Sequence, residues 1–373
     1  MTIDALPLIN EGGITNYLRP LIGELVHQTS SQWKIELVLR LGFSRKRKES
    51  FHAATSVAIP AEAAVRVASL PDFALRVLWE YGMLAATRPE SKGDLFLATT
   101  DLVPRCRKAR VGYIVYDIVP LMIPDKYTIN LEQYAIGLWN RLRNAHFVIT
   151  ISETSKRDLV ERVHYPEHNI FVLYPGCTPM PGLTRDSTAP KPRHPYILYM
   201  GALARNKNVD GLIRIFARCV KDHGCDYDLV LTGRDFCGHE FWDDLIGSLG
   251  IRDRVRFAGW VSDEERGTLL AGAVMLWQFS WYEGFGLPVL EAAAAGVPVL
   301  CSNRASLQEI LQNPEQEIDP DNEEDAAAKA AHALSSPRIL EAWKQAGLLR
   351  AKAFSWERSV AGFLSWYRNF SNS

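Results

Sequence analysis

The chain has 373 residues, more than one hydrophobic core ordinarily serves, so two domains are expected. Its composition, 47% hydrophobic and 23% charged, is that of a globular protein and excludes wholesale disorder. A formal net charge of -1 gives no electrostatic basis for binding nucleic acid, although the balance is basic before residue 180 and acidic after it.

The opening MTIDALPLINEGG lacks the basic start and long apolar stretch of a signal peptide. After it, Ile14, Tyr17, Leu18, Leu21, Ile22 and Leu25 recur at helical spacing and predict a first helix, interrupted at Pro20 and Gly23. Strands are expected at IELVL (35–39), DLFLA (94–98), GYIVY (112–116), HFVIT (146–150) and IFVLY (170–174). Residues 175–195 hold six prolines without periodicity and read as a linker. The alternation then restarts with YILYMG (196–201), a helix near 208–220, DLVLTG (228–233) and a helix near 240–249. RVRFAG (254–259), AVMLWQF (273–279), a helix from about 288 and PVLCS (298–302) complete it. Two α/β domains with parallel sheets are expected, 1–182 and 190–355, with a cleft between the carboxyl ends of their strands. No apolar run reaches the ~18–20 residues of a membrane span. The cysteines at 106, 177, 219, 225, 237 and 301 form no C-x-x-C pair and read as reduced thiols, so a cytoplasmic location is expected.

The stretch SWYEGFGLPVLEA (280–292) places two glutamates in an apolar setting. Gly284 and Gly286 permit tight turns and close approach to a ligand, and Pro288 suits the first turn of a helix. Such a helix start attracts a diphosphate. Glu283 before it and Glu291 one turn inside it are placed to accept from sugar hydroxyls on either side. Equally, Glu291 is explained as a first-turn acid favoured by the helix dipole, and Glu283 as a solvated loop residue.

The run YEGFGLPVLEAAAAGVPVLCSNRASLQEI resembles the donor-binding signature of the retaining GT-B glycosyltransferases of family 4, with Glu, seven residues, then Glu. IDALPLINEGGITNYLRPLIGEL, YDIVPLMIPDKY, FVITISETSKRDLVE, YILYMGALARNKNVDGLI, RVRFAGWVSDEERGTLL and FSWERSVAGFLSWY resemble further family blocks in the right order, covering nearly the whole chain. The resemblance implies two Rossmann-like domains facing each other across a cleft, the first binding acceptor and the second donor. A C-terminal helix of about 356–373 would pack back on the first domain.

Residue by residue, the resemblance implies that Glu283 contacts the transferred sugar with backbone help from Gly284, Phe285, Gly286 and Leu287, and that Glu291 accepts from the ribose. Lys207 would meet the diphosphate. Where the family often has arginine after the strand glycine Gly201, this chain has Ala202, and Arg205 is the nearest substitute. Val261 falls where the family backbone meets the nucleobase, and Gly12 and Gly13 where a loop closes over donor phosphates or acceptor. Tyr116 stands in place of a histidine that contacts the donor sugar, with Asp117 retained after it; Asp117 is equally explained as tying the loop to its own backbone.

The implied chemistry is same-face transfer from a nucleotide-sugar, with the leaving phosphate assisting deprotonation of the acceptor. No cofactor or metal is expected, and the Asp-x-Asp triplets 226–228 and 319–321 read as structural. Block order and the YDIVP form resemble bacterial enzymes of surface-polysaccharide or lipopolysaccharide O-chain synthesis, which points to a glycan or lipid-linked acceptor. GDP-mannose is the first expectation for the donor and a UDP-hexose the second. A GT-B phosphorylase or epimerase, and a non-catalytic nucleotide-sugar-binding protein, are the alternatives. Two basic clusters, Arg45, Lys46, Arg47 and Lys48, then Arg105, Arg107, Lys108 and Arg110, suit anionic lipid headgroups on the inner membrane face at about 1 kcal/mol per charge. A solvated face accounts for them as well.

Overall fold

The computed structural model describes residues 1–9, 12–29, 33–40, 63–68, 95–105, 109–178, 180–183 and 194–372. Arg45, Lys46, Arg47, Lys48, Arg107 and Lys108 lie outside the described residues, as do Asp94 of the DLFLA run and part of the proline-rich segment. The chain divides into two compact units. One comprises Met1–Leu121, Ile129–Gly176 and Ser355–Ser373; the other comprises Met122–Thr128 and Cys177–Phe354.

In the first unit, the described residues form a seven-stranded sheet ordered β3-β2-β1-β4-β5-β6-β7. The strands are β1 Thr2–Asp4, β2 Glu36–Arg40, β3 Ala64–Ala68, β4 Leu95–Ala98, β5 Arg110–Val115, β6 Phe147–Thr150 and β7 Ile170–Val172. All pairings are parallel, with Ile3 of β1 opposite both Leu37 and Leu97. LFLA and FVIT are buried at every position, as parallel strands covered on both faces require.

The first helix, Gly13–Thr29, runs unbroken through Pro20 and Gly23, contrary to the interruption expected from sequence. A helix-interior proline costs about 3 kcal/mol. Burial of Leu18, Leu21, Ile22 and Leu25 on one face, at about 1.5–3 kcal/mol per side chain, outweighs that penalty. The carboxyl-terminal helix, Trp356–Asn372, belongs to this unit and packs along the first helix. Its Phe363, Trp366, Tyr367 and Phe370 surround Phe147, with ring centroids 5.3–6.2 Å apart.

The second unit carries a six-stranded parallel sheet ordered β10-β9-β8-β11-β12-β13. Its strands are β8 Tyr196–Met200, β9 Asp228–Thr232, β10 Val255–Gly259, β11 Met275–Gln278, β12 Val299–Ser302 and β13 Glu317–Ile318. Counted from β8 the order is 3-2-1-4-5-6, so the winding direction reverses between β8 and β11. Loops leaving the carboxyl ends of strands at such a reversal form the ligand crevice of doubly wound sheets. Both loops that leave this reversal are rich in the polar residues singled out above.

Candidate active site

Two loops build the site. The first leaves β8 through Gly201 and makes a 3-10 turn at Arg205–Lys207. The second leaves β11 and enters the helix Leu287–Ala294. Asn208, fully buried and left-handed at φ 53°, stitches them together: its Nδ2 donates to the Phe279 carbonyl at 3.0 Å. Trp281 N donates to the Asn206 carbonyl at 3.3 Å, and Asn206 Nδ2 donates to the Tyr127 hydroxyl at 3.0 Å. Tyr127 and Lys126, which lies 5.0 Å from the Trp281 ring centroid, belong to the short segment grouped with this unit.

Glu283 is only 8% exposed, and both its oxygens are engaged. Lys207 Nζ donates to Oε2 at 2.6 Å. Ser280 Oγ at 2.7 Å and Gln278 Nε2 at 3.2 Å donate to Oε1. Three donors, one of them cationic, offset the cost of taking the carboxylate out of water. The loop backbone is held as firmly. Ser306 Oγ bridges the carbonyls of Glu283 and Phe285 at 2.8 and 2.7 Å, and Ser302 Oγ donates to the Ser280 carbonyl at 2.7 Å.

Gly286 caps the helix at φ 107°, where a Cβ would stand 2.5 Å from Leu307 Cδ2. Only glycine fits there, and its conformation turns the chain so that Leu287 and Pro288 begin the helix directly after Glu283–Phe285. Phe285 is buried, edge-on to Phe354 at 5.7 Å. The resulting helix start, with its positive dipole end, follows Glu283, the partner of Lys207, by four residues. On the β8 side, Gly201 N donates to the Thr232 carbonyl at 3.0 Å, and Gly233 at φ 138° approaches so closely that a Cβ would meet the Gly201 carbonyl oxygen.

Glu291 lies one turn into the helix with a side chain 16% exposed. Burial pushes its carboxyl above the usual range; Arg266 opposes that rise and Asp263 adds to it. Arg266 Nη2 stands 3.4 Å from Glu291 Oε1 and 3.3 Å from Asp263 Oδ1. Arg266 has no local sequence signal linking it to Glu291, 25 positions later. It lies on the helix Asp263–Gly272, whose start is fixed by a capping box between Ser262 and Glu265. Val261 precedes that cap and follows Trp260, which is 55% exposed.

Of the sequence candidates, the structure brings together Lys207 and Glu283 at the exits of β8 and β11, with Gly284, Gly286, Leu287 and Glu291 following along the second loop and its helix. Arg205 is exposed, and its side chain enters no ion pair among the described residues. In the first unit, Gly12 and Gly13 lie at the start of the first helix, where an added Cβ at either would meet nothing within 4 Å. Tyr116 follows β5 and donates its hydroxyl to the Thr99 carbonyl at 3.4 Å; burial holds its ionisation well above the usual phenol range. Asp117 Oδ1 accepts from Val119 N at 3.2 Å, tying the loop to its own backbone. The Asp-x-Asp triplets are closed by arginines. Arg254 binds Asp226 and Asp228 at 3.0 and 3.1 Å, and Arg304 binds Asp319 and Asp321 at 2.8 and 2.6 Å. Arg105 donates to Asn144 at 2.9 Å, and Arg110 lies 5.8 Å from the Phe370 ring centroid.

The sequence model of the family described as "Glycosyl transferases group 1" matches residues 183–350. "O-antigen chain mannosyltransferase B" of Escherichia coli is 32% identical over 281 residues, covering 70% of this chain and 71% of that protein. "O-antigen chain mannosyltransferase RfbU" of Salmonella typhimurium is 27% identical over 254 residues, covering 67% and 65%. Among solved structures, the sucrose-phosphate synthase from Thermosynechococcus elongatus superposes with a TM-score of 0.75 at 18% identity, over 100% of this chain and 99% of that one. The doubly wound sheets, the family match and the extent of these similarities lead to one conclusion: the chain belongs to the group 1 glycosyl transferases and is a glycosyltransferase of GT-B fold.

Proposed function

We propose that the protein transfers a hexose, with retention of anomeric configuration, from a nucleotide-sugar to a glycan or lipid-linked acceptor in bacterial surface-polysaccharide synthesis. Mannose from GDP-mannose is the first choice of donor and a UDP-hexose the second, because two relatives of substantial coverage are named as O-antigen chain mannosyltransferases. The observation that carries the proposal is the 2.6 Å Lys207–Glu283 pair at the reversal between β8 and β11, beside a helix start. A cation, a carboxylate and a helix start within these two loops would supply what a sugar diphosphate needs, positive charge on its phosphates and an acceptor for its hydroxyls.

In this scheme Lys207 leaves Glu283 for the diphosphate as donor enters, and the freed Oε2 of Glu283 takes a sugar hydroxyl. The backbone of Gly284, Phe285, Gly286 and Leu287 lines the sugar, Glu291 takes the ribose hydroxyls, and Gly201 and Val261 approach the nucleotide. Arg205 is a second cation for the leaving group. The bond from the anomeric carbon to the diphosphate breaks, the acceptor oxygen bonds to the same face, and the acceptor proton passes to the departing phosphate. Glu283 is a poor nucleophile for a double displacement in this scheme, since Oε1 keeps its hydrogen bonds from Gln278 and Ser280 while Oε2 is taken up by the sugar hydroxyl. The first unit's proposed role is acceptor binding, with Gly12 and Gly13 leaving room at the start of its first helix and Tyr116 and Asp117 shaping the loop after β5. No metal is required in this scheme. Contact with the inner membrane face through the basic clusters stays part of the proposal, with a cytoplasmic location.

The test is a thermal-shift panel with GDP, UDP, ADP and dTDP, followed by donor turnover with the best base and determination of the product's anomeric configuration by proton NMR. Retention with a GDP- or UDP-sugar is expected; inversion would refute the proposed chemistry.

A further inference from the structure

In the proposed scheme Glu291 takes the ribose hydroxyls, yet its surroundings work against its charge. The carboxylate is mostly removed from water, and its Oε2 is buried without a hydrogen-bond partner among the described residues. Arg266 is the cation beside it, 22% exposed, and Arg266 Nε is likewise buried without a partner. The guanidinium is shared, since Nη2 lies 3.4 Å from Glu291 Oε1 and 3.3 Å from Asp263 Oδ1. Among the described residues the Cys177 thiol also faces Glu291; burial and then Glu291 push it up to about 11, so it stays neutral at ordinary pH.

We propose that Arg266 is a positioning residue that keeps Glu291 ionised and aimed at the nucleotide ribose, and that Asp263 tunes how much of its charge Glu291 feels. This rests on the assignment of Glu291 to the ribose. Two ribose hydroxyls need two acceptor oxygens, and a protonated carboxyl presents one acceptor and one donor. Nucleotide affinity is therefore full when Glu291 is ionised and falls as pH drops through its ionisation. Arg266 holds that fall to low pH. Asp263, a second negative charge that also competes for the guanidinium, raises it. The two neighbours act with opposite sign.

Calorimetric titration of the full chain with GDP and, in parallel, UDP between pH 5 and 8.5 tests the proposal. In Arg266→Gln the pH at which affinity falls should move up by about 1–3 units, the effect of an opposite charge within 4–6 Å. Near neutral pH that variant should bind about tenfold more weakly, while at pH 8.5 it should approach the unmodified chain. Arg266→Lys should restore most of the profile. Asp263→Asn, at a position 51% exposed and so tolerant of exchange, should move the fall to lower pH, which keeps the test sound if Arg266→Gln folds poorly. A loss in Arg266→Gln that is uniform across pH, or Asp263→Asn shifting the fall upward, would overturn the proposal. Glu291→Gln separates it from the assignment beneath it. If that variant binds as tightly as the unmodified chain, or if neither nucleotide binds the unmodified chain, the ribose assignment itself fails.

Discussion

Replacing Lys207 by methionine removes the ammonium while keeping a side chain of similar length. Glu283 then keeps only Ser280 and Gln278, two neutral donors, for a carboxylate whose side chain is 11% exposed. Breaking a buried ion pair from one side costs about 3–5 kcal/mol. Lys207 is 24% exposed, so water reaches the vacated position and lowers that figure towards the ~2–3 kcal/mol of a charge-assisted hydrogen bond. For a domain of this size the loss corresponds to a Tm lower by about 4–12 °C. Glu283→Gln, which leaves the partly exposed lysine free to hydrate, should cost less, about 1 kcal/mol. In the Glu283→Gln background, Lys207→Met should cost no more than about 0.5 kcal/mol, because no charge is left unpaired. Urea denaturation of the four proteins, followed by tryptophan fluorescence, closes the double-mutant cycle. If Lys207→Met cost the same in both backgrounds, the 2.6 Å contact would carry no coupling, and the account of how Glu283 is held in place would be wrong.

Three further outcomes follow from the same geometry. Glu283→Gln should leave nucleotide affinity within about threefold and lower turnover at least a hundredfold, whereas Glu291→Gln should mainly weaken nucleotide binding, by about 1–3 kcal/mol; steady-state kinetics with calorimetry distinguishes the two. Gly286→Ala, forced to φ 107° with its Cβ 2.5 Å from Leu307 Cδ2, should destabilise by about 1–3 kcal/mol in urea and reduce nucleotide affinity, because the helix start moves. Activity should survive a chelator unchanged, and an absolute need for Mg²⁺ or Mn²⁺ would return attention to the Asp-x-Asp triplets despite their arginines.

Much of the fold was legible because parallel strands covered on both faces are uninterrupted apolar runs. YILYM, DLVLT and the run around MLWQ each became a strand within a residue or two of the expected limits. The strands that escaped notice, β3 (AVRVA) and the two-residue β13, are an alternating run and one too short to have a pattern. Pro20 misled for a different reason: its local penalty is visible in sequence, while the buried face that outweighs it is tertiary. The site divides in the same way. Glu283, the glycines and Glu291 are consecutive in one loop and helix, so their spacing carried information. Arg266, Asn208 and Ser306 reach Glu291 and the Glu283 loop from other loops and helices; they lie within the quoted blocks, but no spacing in the chain ties them to those contacts.

The most direct measurement is release of nucleoside diphosphate from GDP-mannose and from UDP-hexoses by the unmodified chain and by Glu283→Gln, with donor affinity determined on the same samples. Release from one donor class by the unmodified chain is expected, with donor affinity kept and release abolished in Glu283→Gln. Equal release by both proteins, or none from any donor despite tight nucleotide binding, would contradict catalysis at the Lys207–Glu283 site.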